Sequence, residues 1–412
     1  MSKIRILAIP PDVHGVGKFR ILNPYTYIQE NYPDDFHIDI KMNVEDNDDE
    51  FKDYDIIVLH TFIHNRLSPE KNLERIQWLK NNGKIVIADI DDYWEPDMRH
   101  PMYTQVKKQG LVKIKLDLLK NVQYVTVTTS IFADLIKQKL GLKNIFVFPN
   151  AIDETEPQFQ PQPIKTDRIK LSWIGGSSHM YDVQLMEQGI SAMYNTHKDK
   201  VQFVLCGFDL RGTYSEFDQM TKQVKTRDIL PEETVWYRYE KIFTKDYKEL
   251  DEEYTKYLKM FKEIPYDDSD KPYVRRWTKE ITKYATHYNY SDISLAPLVS
   301  NTFNHMKSQL KAIEAGFHKK ALIASETKPY TLDLISAINK GGEINPKGNC
   351  LLVSSSKDHK QWYQHMKKLV DNPNMVEDLG NKLYDTVKDK FSLKKVCEDR
   401  VQFLKSIINI NI

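Results

Sequence analysis

The sequence predicts an α/β fold in which two parallel β-sheets are each covered by helices. Short apolar runs alternate with helical patterns along the chain, an order that produces parallel sheets. This series begins twice, at residues 3–10 and again at 168–174, and both times the strand runs into a loop with two glycines. The segment 156–165, EPQFQPQPIK, separates the two series, and its Pro and Gln content is typical of an extended linker.

The length of the chain supports two domains, because 412 residues exceed what one hydrophobic core usually organises. We place an N-terminal domain at 1–155, a linker at 156–167 and a C-terminal domain at 168–390. The lysine- and tyrosine-rich region at about 208–275 is interpreted as an insertion, with a helical stretch near 247–261. Residues 391–412 form a last helix.

Composition argues against several classes of protein. The net charge of +1, with 41% hydrophobic and 28% charged residues, is ordinary for a globular protein and disfavours broad electrostatic binding to nucleic acid or membrane. No apolar run approaches the roughly 18 residues of a transmembrane helix. Three dispersed cysteines and no secretory signal favour a reducing compartment, so we expect a cytoplasmic protein.

Polar residues follow the strands of the first half, where ligands of open α/β sheets bind. Strands are predicted at 3–10, 36–42, 55–61, 84–89, 123–129 and 145–148, and a helix at 68–81. The residues after these strands are His14, Gly15, Gly17, His60, His64, Asp89, Asp91, Asp92, Ser130 and Asn150. The aspartates are predicted to cap helices or to be solvated, so no metal site is expected. His60 fits either a capped turn or an acceptor site, and Ser130 is expected to cap a helix at 131–140.

The second half repeats the arrangement. The strand at 168–174 leads into Gly175, Gly176, Ser177, Ser178 and His179, ahead of a helix at 182–194. Further strands are predicted at 201–206, 234–239, 293–298, 321–324 and 350–353. Helices are predicted at 274–290, from 331 to about 340, and at 357–371, 375–390 and 393–408.

The stretch 291–325 carries the strongest functional pattern. Between its two strands, Met306, Leu310, Ile313 and Phe317 share one face of a predicted helix. Lys307 and Ser308 fall near the start of this helix, where free N–H groups and the helix dipole favour a phosphate. Glu314 is two turns further on and offers a carboxylate to ribose hydroxyls. The alternative is a solvated helix face with a Lys311–Glu314 pair.

These segments resemble GT-B glycosyltransferases, in particular the group 1, family 4-like proteins that use sugar nucleotides. The resemblance rests on residues 171–183, LSWIGGSSHMYDV, on 291–325 and on 125–153, and similar stretches occur in glycosyltransferase-like proteins of tailed phages. It implies two facing Rossmann-like domains with an interdomain cleft, the donor nucleotide held mainly by the C-terminal half. It also implies that the last helix crosses back onto the N-terminal domain.

The resemblance also assigns roles to individual residues. By motif, Gly175, Gly176 and Ser177, with His179 in the same loop, face the donor phosphates, and Gly15 and Gly17 approach the donor from the other half. Lys307 and Ser308 match the phosphate-contacting segment, and Glu314 matches the carboxylate that binds the ribose. The family often has a second glutamate eight residues earlier, but that position is Met306, so recognition of the donor sugar departs from the usual pattern.

The resulting expectation is a hexosyl- or pentosyltransferase that uses a UDP- or GDP-sugar as donor substrate and needs no further cofactor. Its acceptor would be a hydroxyl of a saccharide, a lipid-linked saccharide or a modified DNA base. Lys307 would stabilise the leaving diphosphate, and retention, which needs no protein base, is favoured. An inverting enzyme would use His60, His64 or Asp91 as base. Two alternatives stay open: a sugar-nucleotide epimerase of the same fold, and a non-catalytic nucleotide-sugar-binding protein.

Overall fold

The computed structural model describes residues 3–60, 62–63, 67–210, 212–245, 252, 256, 267–339, 341–354 and 359–411. Contacts divide the chain into two compact units. Unit 1 comprises Met1–Glu156, Ser300–Ile313 and Val387–Ile412, and unit 2 comprises Pro157–Val299 and Glu314–Thr386. The helical stretch predicted near 247–261 lies outside the described residues.

Unit 1 is built on a parallel sheet of six strands. The strands are β1 Ile4–Ile9, β2 Phe36–Ile40, β3 Ile56–His60, β4 Ile85–Ile90, β5 Tyr124–Val127 and β6 Ile145–Val147. Their order across the sheet is β2-β1-β3-β4-β5-β6, and every neighbouring pair is parallel. Side chains alternate between the two faces, so Leu7 and Ile57 join one buried cluster and Ile6 and Ile56 join another. Both faces are therefore buried, as in other all-parallel sheets.

Helices cover both faces of this sheet. They are Gly15–Gly17, which continues as a π-helical turn Lys18–Leu22, and Asn23–Asn31, Pro69–Asn81, Tyr103–Lys108, Leu111–Asn121, Ser130–Leu140, Thr302–His305 and Leu393–Asn411. Phe303 and Met306 pack in the cluster with Leu7, so the segment 300–313 contributes to the core of unit 1. Cys397 and Leu404 of the last helix pack in the other cluster.

Unit 2 contains a second six-stranded parallel sheet. Its strands are β7 Ile169–Ile174, β8 Val201–Phe208, β11 Tyr273–Trp277, β12 Ile293–Ala296, β13 Ala321–Ser325 and β14 Leu351–Val353. The order is β11-β8-β7-β12-β13-β14. A separate antiparallel hairpin, β9 Thr213–Asp218 and β10 Gln223–Asp228, stands in the predicted insertion. The prediction of an α/β protein with two parallel sheets is confirmed.

Helices pack around the second sheet as well. They are Met180–Gln184, Glu187–His197, Val235–Thr244, His359–Val370 and Pro373–Val387, together with the 3-10 turns Pro157–Phe159, Pro231–Glu233, Tyr284–Tyr290 and Tyr330–Leu332. Helix Leu310–Phe317 includes residues of both units. No helix among the described residues is long and apolar enough to cross a membrane.

Three element predictions in the second half are wrong. The segment from 331 to about 340 was expected to be a helix, but it contains the 3-10 turn Tyr330–Leu332 and then β-bridges at Ser336 and Ile338. The other two errors lie in aromatic-rich segments. Residues 234–239 were expected to form a strand, but they begin helix Val235–Thr244, which Thr234 caps. The segment 274–290 was expected to be helical, but it forms edge strand β11 and then a 3-10 turn. Aromatic residues crowd both segments, and an aromatic-rich run fits a buried helix face as well as a strand.

Candidate functional site

In each sheet, the strand order indicates where a ligand would bind at the carboxyl ends of the strands. In unit 1 the chain moves from β1 to β2 on one side and returns to β3 on the other, so the order reverses between β1 and β3. In unit 2 it reverses in the same way between β7 and β12. Ligands of open α/β sheets bind beyond the carboxyl ends of the strands at such a reversal. The loops after β1, β3, β7 and β12 contain most of the residues singled out in the sequence.

The glycine loop of unit 1 follows β1 and begins a helix. The Asp12 carboxylate accepts hydrogen bonds from the backbone N–H groups of His14, at 2.8 Å, and Gly17, at 3.1 Å. A Cβ atom at Gly17 would lie 1.8 Å from the Asp12 carbonyl oxygen, so only glycine fits there. Gly15 has open space around its Cα. Gly17 is thus required by the loop itself, while Gly15 leaves room for a close approach.

The helical turn that follows this loop contains a buried guanidinium, that of Arg20. Arg20, in the π-helical turn, is fully buried and forms two 2.8 Å hydrogen bonds with the two carboxylate oxygens of Asp89. Thr126 donates a further hydrogen bond of 2.6 Å to Asp89. Burial alone would raise the pKa of Asp89, but the charge and hydrogen bonds of Arg20 hold that pKa below its usual value. Asp89 is therefore a structural anion.

The same guanidinium connects to one of the predicted phosphate contacts. Arg20 Nη1 donates to the Asn150 side-chain oxygen at 3.1 Å, and Asn150 Nδ2 donates to Ser308 Oγ at 3.0 Å. Ser308 is thus held by a chain of hydrogen bonds that starts at Asp89, in the middle of the sheet. Its neighbour Lys307 extends its ammonium to 3.6 Å from Asp92 and lies over the Phe303 ring at 4.7 Å.

The two residues do not lie within the helix that the sequence predicts. That pattern expects one helix from about Met306, whereas the structure has a short helix Thr302–His305, a break, and helix Leu310–Phe317. Lys307 and Ser308 fall in the break, just ahead of the second helix. Phosphate groups bind at helix N-termini because unpaired N–H groups and the dipole point there.

His60 and Asp91, the candidates for a base, are paired with each other. His60 Nε2 lies 3.1 Å from Asp91 Oδ1 at the carboxyl ends of β3 and β4. Burial opposes ionisation of Asp91, but the hydrogen bond and charge of His60 outweigh it, and the pKa of Asp91 is well below its usual value. Such a carboxylate orients an imidazole. The alternative candidate His64 lies outside the described residues.

The acidic group 89–92 has a basic partner at each carboxylate. Asp89 pairs with Arg20, Asp91 with His60 and Asp92 with Lys307. Within the described part of the chain, no group of three or more His, Cys, Asp and Glu side chains is arranged to hold a metal ion.

In unit 2 the second glycine loop follows β7 and is held by Tyr239. The Tyr239 hydroxyl accepts from the backbone N–H of His179 at 2.9 Å and donates to the Gly176 carbonyl at 3.2 Å. Gly207 packs closely against this loop, since a Cβ atom there would lie 2.6 Å from the Gly175 carbonyl oxygen. The path of the loop is thus fixed by neighbours on two sides, and Ser177 lies within it.

Asp182 links this loop to the loop after β12. One carboxylate oxygen lies 2.7 Å from His179 Nδ1, and the other accepts the backbone N–H of Val299 at 2.7 Å. Asp182 therefore connects the loop after β7 with the loop after β12, the two strands between which the strand order reverses. A sequence-level sign of this role was the position of Asp182 three residues after a histidine in the glycine loop.

Glu314 is buried, with 5% of its surface exposed. It accepts hydrogen bonds from the hydroxyls of Tyr284 and Tyr288, the latter at 3.0 Å. Burial and the adjacent carboxylate raise the pKa of Tyr288, so that hydroxyl stays protonated and donates. Met306, at the position where the related family often has a glutamate, is also buried, in the core of unit 1.

Sequence reasoning did not find Arg20, Tyr239, Tyr284 and Tyr288 as parts of this site. They act through other residues, and nothing in their spacing separates them from core positions. The glycine pairs were predicted from their position between a strand and a helix, and Lys307 and Ser308 from their position near the start of a predicted helix.

Several solved structures share this fold over nearly the whole chain. Sucrose-phosphate synthase from Thermosynechococcus elongatus has a TM-score of 0.59 and 12% identity, over 99% of this chain and all of that chain. Anabaena HepE in complex with UDP gives 0.59 and 10%, over 98% and 100%. A glycosyltransferase from Rickettsia africae gives 0.59 and 10%, over 99% of both chains. The chain therefore has the GT-B fold of these enzymes. No family model matches the sequence, and no curated protein sequence does.

Proposed function

We propose that the protein is a glycosyltransferase that moves a sugar from a nucleotide-sugar donor to a hydroxyl group of a saccharide. The observation that carries the proposal is the likeness to GT-B glycosyltransferases over 98–99% of the chain. Fold alone does not define chemistry. The proposal is supported further by glycine loops and polar residues at the strand-order reversals of both sheets. UDP is the first donor nucleotide to test, since HepE was solved with UDP and with UDP-glucose.

The roles that we propose for individual residues are those that the family resemblance assigns. In unit 1, Lys307 and Ser308 bind the diphosphate ahead of helix Leu310–Phe317, and Gly15 lets the backbone approach the donor. In unit 2, the amides of Gly175, Gly176 and Ser177 and the imidazole of His179 contact the donor. Glu314 binds the ribose by exchanging a tyrosine hydroxyl for a ribose hydroxyl, which requires Tyr284, the less buried of its two partners, to move.

We propose retention of the anomeric configuration. The bond from sugar C1 to the diphosphate oxygen breaks, and C1 bonds to the acceptor oxygen on the same face. The acceptor proton passes to the departing phosphate oxygen. Negative charge grows on the diphosphate in this step, so a cation and oriented N–H groups stabilise the transition state. In an inverting reaction, the His60–Asp91 pair would instead serve as base.

The function is tested by donor binding and donor breakdown. We expect UDP or GDP to raise the melting temperature, because a ligand that binds only the native state stabilises it. With a matching sugar nucleotide and no acceptor, we expect slow release of nucleoside diphosphate. Lys307→Ala should lower that rate by roughly 100-fold, the usual effect of removing one group that stabilises developing charge. Lys347→Ala, in an exposed loop of unit 2, is the matched control and should leave the rate unchanged.

A double-mutant cycle tests the hydrogen bond between Asn150 and Ser308. If Asn150 acts by holding Ser308, then Asn150→Ala and Ser308→Ala should each weaken nucleotide binding, and the double variant should bind no more weakly than either. Additive losses would mean that Asn150 does not act through Ser308.

The same assay separates the alternatives. An epimerase would return an altered sugar nucleotide, and a non-catalytic binding protein would bind the donor without releasing diphosphate. The buried Met306 in place of the usual first glutamate favours the binding protein over the epimerase, because the family contacts the transferred sugar at that position. Binding without turnover for any acceptor would therefore replace the transferase proposal.

A further inference from the structure

A cavity of about 270 Å³ opens at the amino-terminal ends of the unit 2 strands, opposite the end that carries the glycine loop. It lies where β7, β12 and β13 begin. Ile169, Pro373 and Val376 form apolar walls, and the charged side chains around it are Asp292, Lys319, Lys320 and Glu377. None of these residues has a part in the proposed transfer reaction.

Lys320 is buried in this wall, with 6% of its surface exposed. Among the described residues, its ammonium group has no hydrogen bond or ion pair. Lysines are rarely buried without a partner, because the ammonium loses its hydration. Burial and the charge of Lys170 lower the pKa of Lys320, while Asp292 opposes them. The fold therefore carries a buried cation that lacks a bonded counter-charge.

The nearby carboxylate of Asp292 is already engaged. Asp292 Oδ2 accepts from both the backbone N–H of Lys170, at 2.8 Å, and the Lys170 ammonium, at 3.0 Å. Lys170 is itself only 3% exposed. The Lys170–Asp292 pair is thus neutral as a unit. The exposed Lys319 and Glu377 carry opposite charges, so Lys320 contributes the additional positive charge of the cavity.

The backbone holds Lys320 in place by a helix-ending turn. After helix Leu310–Phe317, Lys319 adopts a left-handed φ of 53°, and the N–H groups of Lys319 and Lys320 bond to the carbonyls of Gly316 and Ala315. This is the Schellman arrangement, in which Lys320 holds the position that usually carries an apolar residue. A lysine there is not explained by the needs of the turn.

A second helix begins at the cavity and is pressed against this turn. A Cβ atom at Gly380 of helix Pro373–Val387 would lie 2.2 Å from the Lys319 carbonyl oxygen, so the helix packs directly on the turn. Pro373, Val376 and Glu377, in its first turn, line the cavity. The positive end of the helix dipole therefore adds to the charge of Lys320.

We propose that this cavity binds a small oxyanion, a phosphate or carboxylate group on a short apolar body, with Lys320 as its counter-ion. The volume suits a metabolite of a few carbon atoms rather than a nucleotide, since the pockets that bind drug-sized ligands measure about 300–1,000 Å³. Ile169 and Val376 receive the apolar part. The site is independent of the transferase proposal and persists if that proposal fails.

The test measures anion binding to the whole chain. Melting temperatures are recorded with sodium phosphate, sodium butyrate, and sodium chloride at matched ionic strength, and calorimetry gives the affinities. We expect phosphate or butyrate to stabilise the protein beyond chloride, and the one that does so identifies the head group. Lys320→Met should weaken this binding at least tenfold. Lys319→Met, an exposed lysine on the same wall, should change it by less than about threefold.

Phosphate could also bind at Lys307, so the Lys307→Ala variant is measured alongside. Binding that survives Lys307→Ala and is lost in Lys320→Met supports the cavity. No specific stabilisation of the wild type, or stabilisation that survives Lys320→Met, overturns the proposal. If Lys320→Met does not fold, methylation of Lys320 in the wild type is followed by mass spectrometry. Protection by the anion then supports the site, and an unchanged rate refutes it.

Discussion

Arg20 is a buried residue whose hydrogen bonds organise part of the candidate site. Its guanidinium bonds to Asp89, the Phe148 carbonyl and Asn150, and so joins the sheet to the segment that carries Ser308. Desolvating such a pair is costly, and the attraction compensates only when the hydrogen bonds are well formed. Here the carboxylate is bound at both oxygens. The pair fixes geometry more than it adds stability.

Asp89→Asn should therefore lower the free energy of unfolding by about 3–5 kcal/mol, because it leaves the buried guanidinium without its counter-charge. Urea denaturation measures this. Asp92→Asn is the matched control: its carboxylate is 44% exposed and pairs with Lys307 at 3.6 Å, so its loss should cost less than about 1 kcal/mol. Equal losses in the two variants would show that the Arg20–Asp89 pair is not specially important.

The pH dependence of that contribution has a defined direction. The pKa of Asp89 is lower in the folded protein than its usual value, so the ionised carboxylate stabilises the fold. This stabilisation is fully present above the unfolded pKa of about 4 and is lost as the pH falls through the folded value. In Asp89→Asn that part of the acid sensitivity should be absent. An unchanged acid profile would argue against the assignment.

At the level of elements, most of the buried strands could be predicted because they are short apolar runs covered on both faces. Strand β11, whose sequence YVRRW includes two arginines, was missed. The ends of helices were harder. Ser130 was expected to cap the helix after β5, but Thr129 is the cap: its hydroxyl accepts the Phe132 N–H at 3.3 Å, and Ser130 is already helical. Both residues are good caps, and backbone angles, which the sequence does not show, decide between them.

This correction gives a matched pair of variants. Thr129→Ala should lower the free energy of unfolding by about 1 kcal/mol, since it removes the acceptor of a helix N–H. Ser130→Ala should have an effect within about 0.5 kcal/mol, because Ser130 is exposed and alanine suits a helix. Chemical denaturation of both variants checks the assignment. The reverse order of effects would restore Ser130 as the cap.

The break at 306–309 was hidden for a different reason. Met306, Leu310 and Ile313 fit one apolar helix face; Met306 and Ile313 are buried, and Leu310 is half-buried. Periodicity cannot show that Met306 ends one helix and that Leu310 begins another. The residues at the break, Lys307 and Ser308, are the proposed phosphate contacts, and they lie just ahead of helix Leu310–Phe317 rather than inside a longer helix.

At the scale of the whole molecule, the sequence predicted two α/β halves but not how the chain is shared between them. Segment 300–313 was assigned to the C-terminal half by its position, yet Phe303 and Met306 pack in the core of unit 1. The last helix, which the family resemblance placed on the N-terminal domain, is also part of unit 1. The placement of 300–313 depends on contacts between residues far apart in sequence, which a single sequence does not record.

Because the last helix packs in unit 1, a destabilising substitution in this helix should also destabilise the N-terminal strands of that unit. Leu404 is fully buried against the unit 1 sheet, so Leu404→Ala should cost about 2–5 kcal/mol. Hydrogen exchange should then accelerate in β1 and β3 of unit 1 and stay slow in β7 and β8 of unit 2. The neighbouring Lys405→Ala loses a half-exposed ion pair with Asp35 and should leave both units nearly unchanged. Equal acceleration in both sheets would mean that the two units unfold together, and that the last helix stabilises the whole chain.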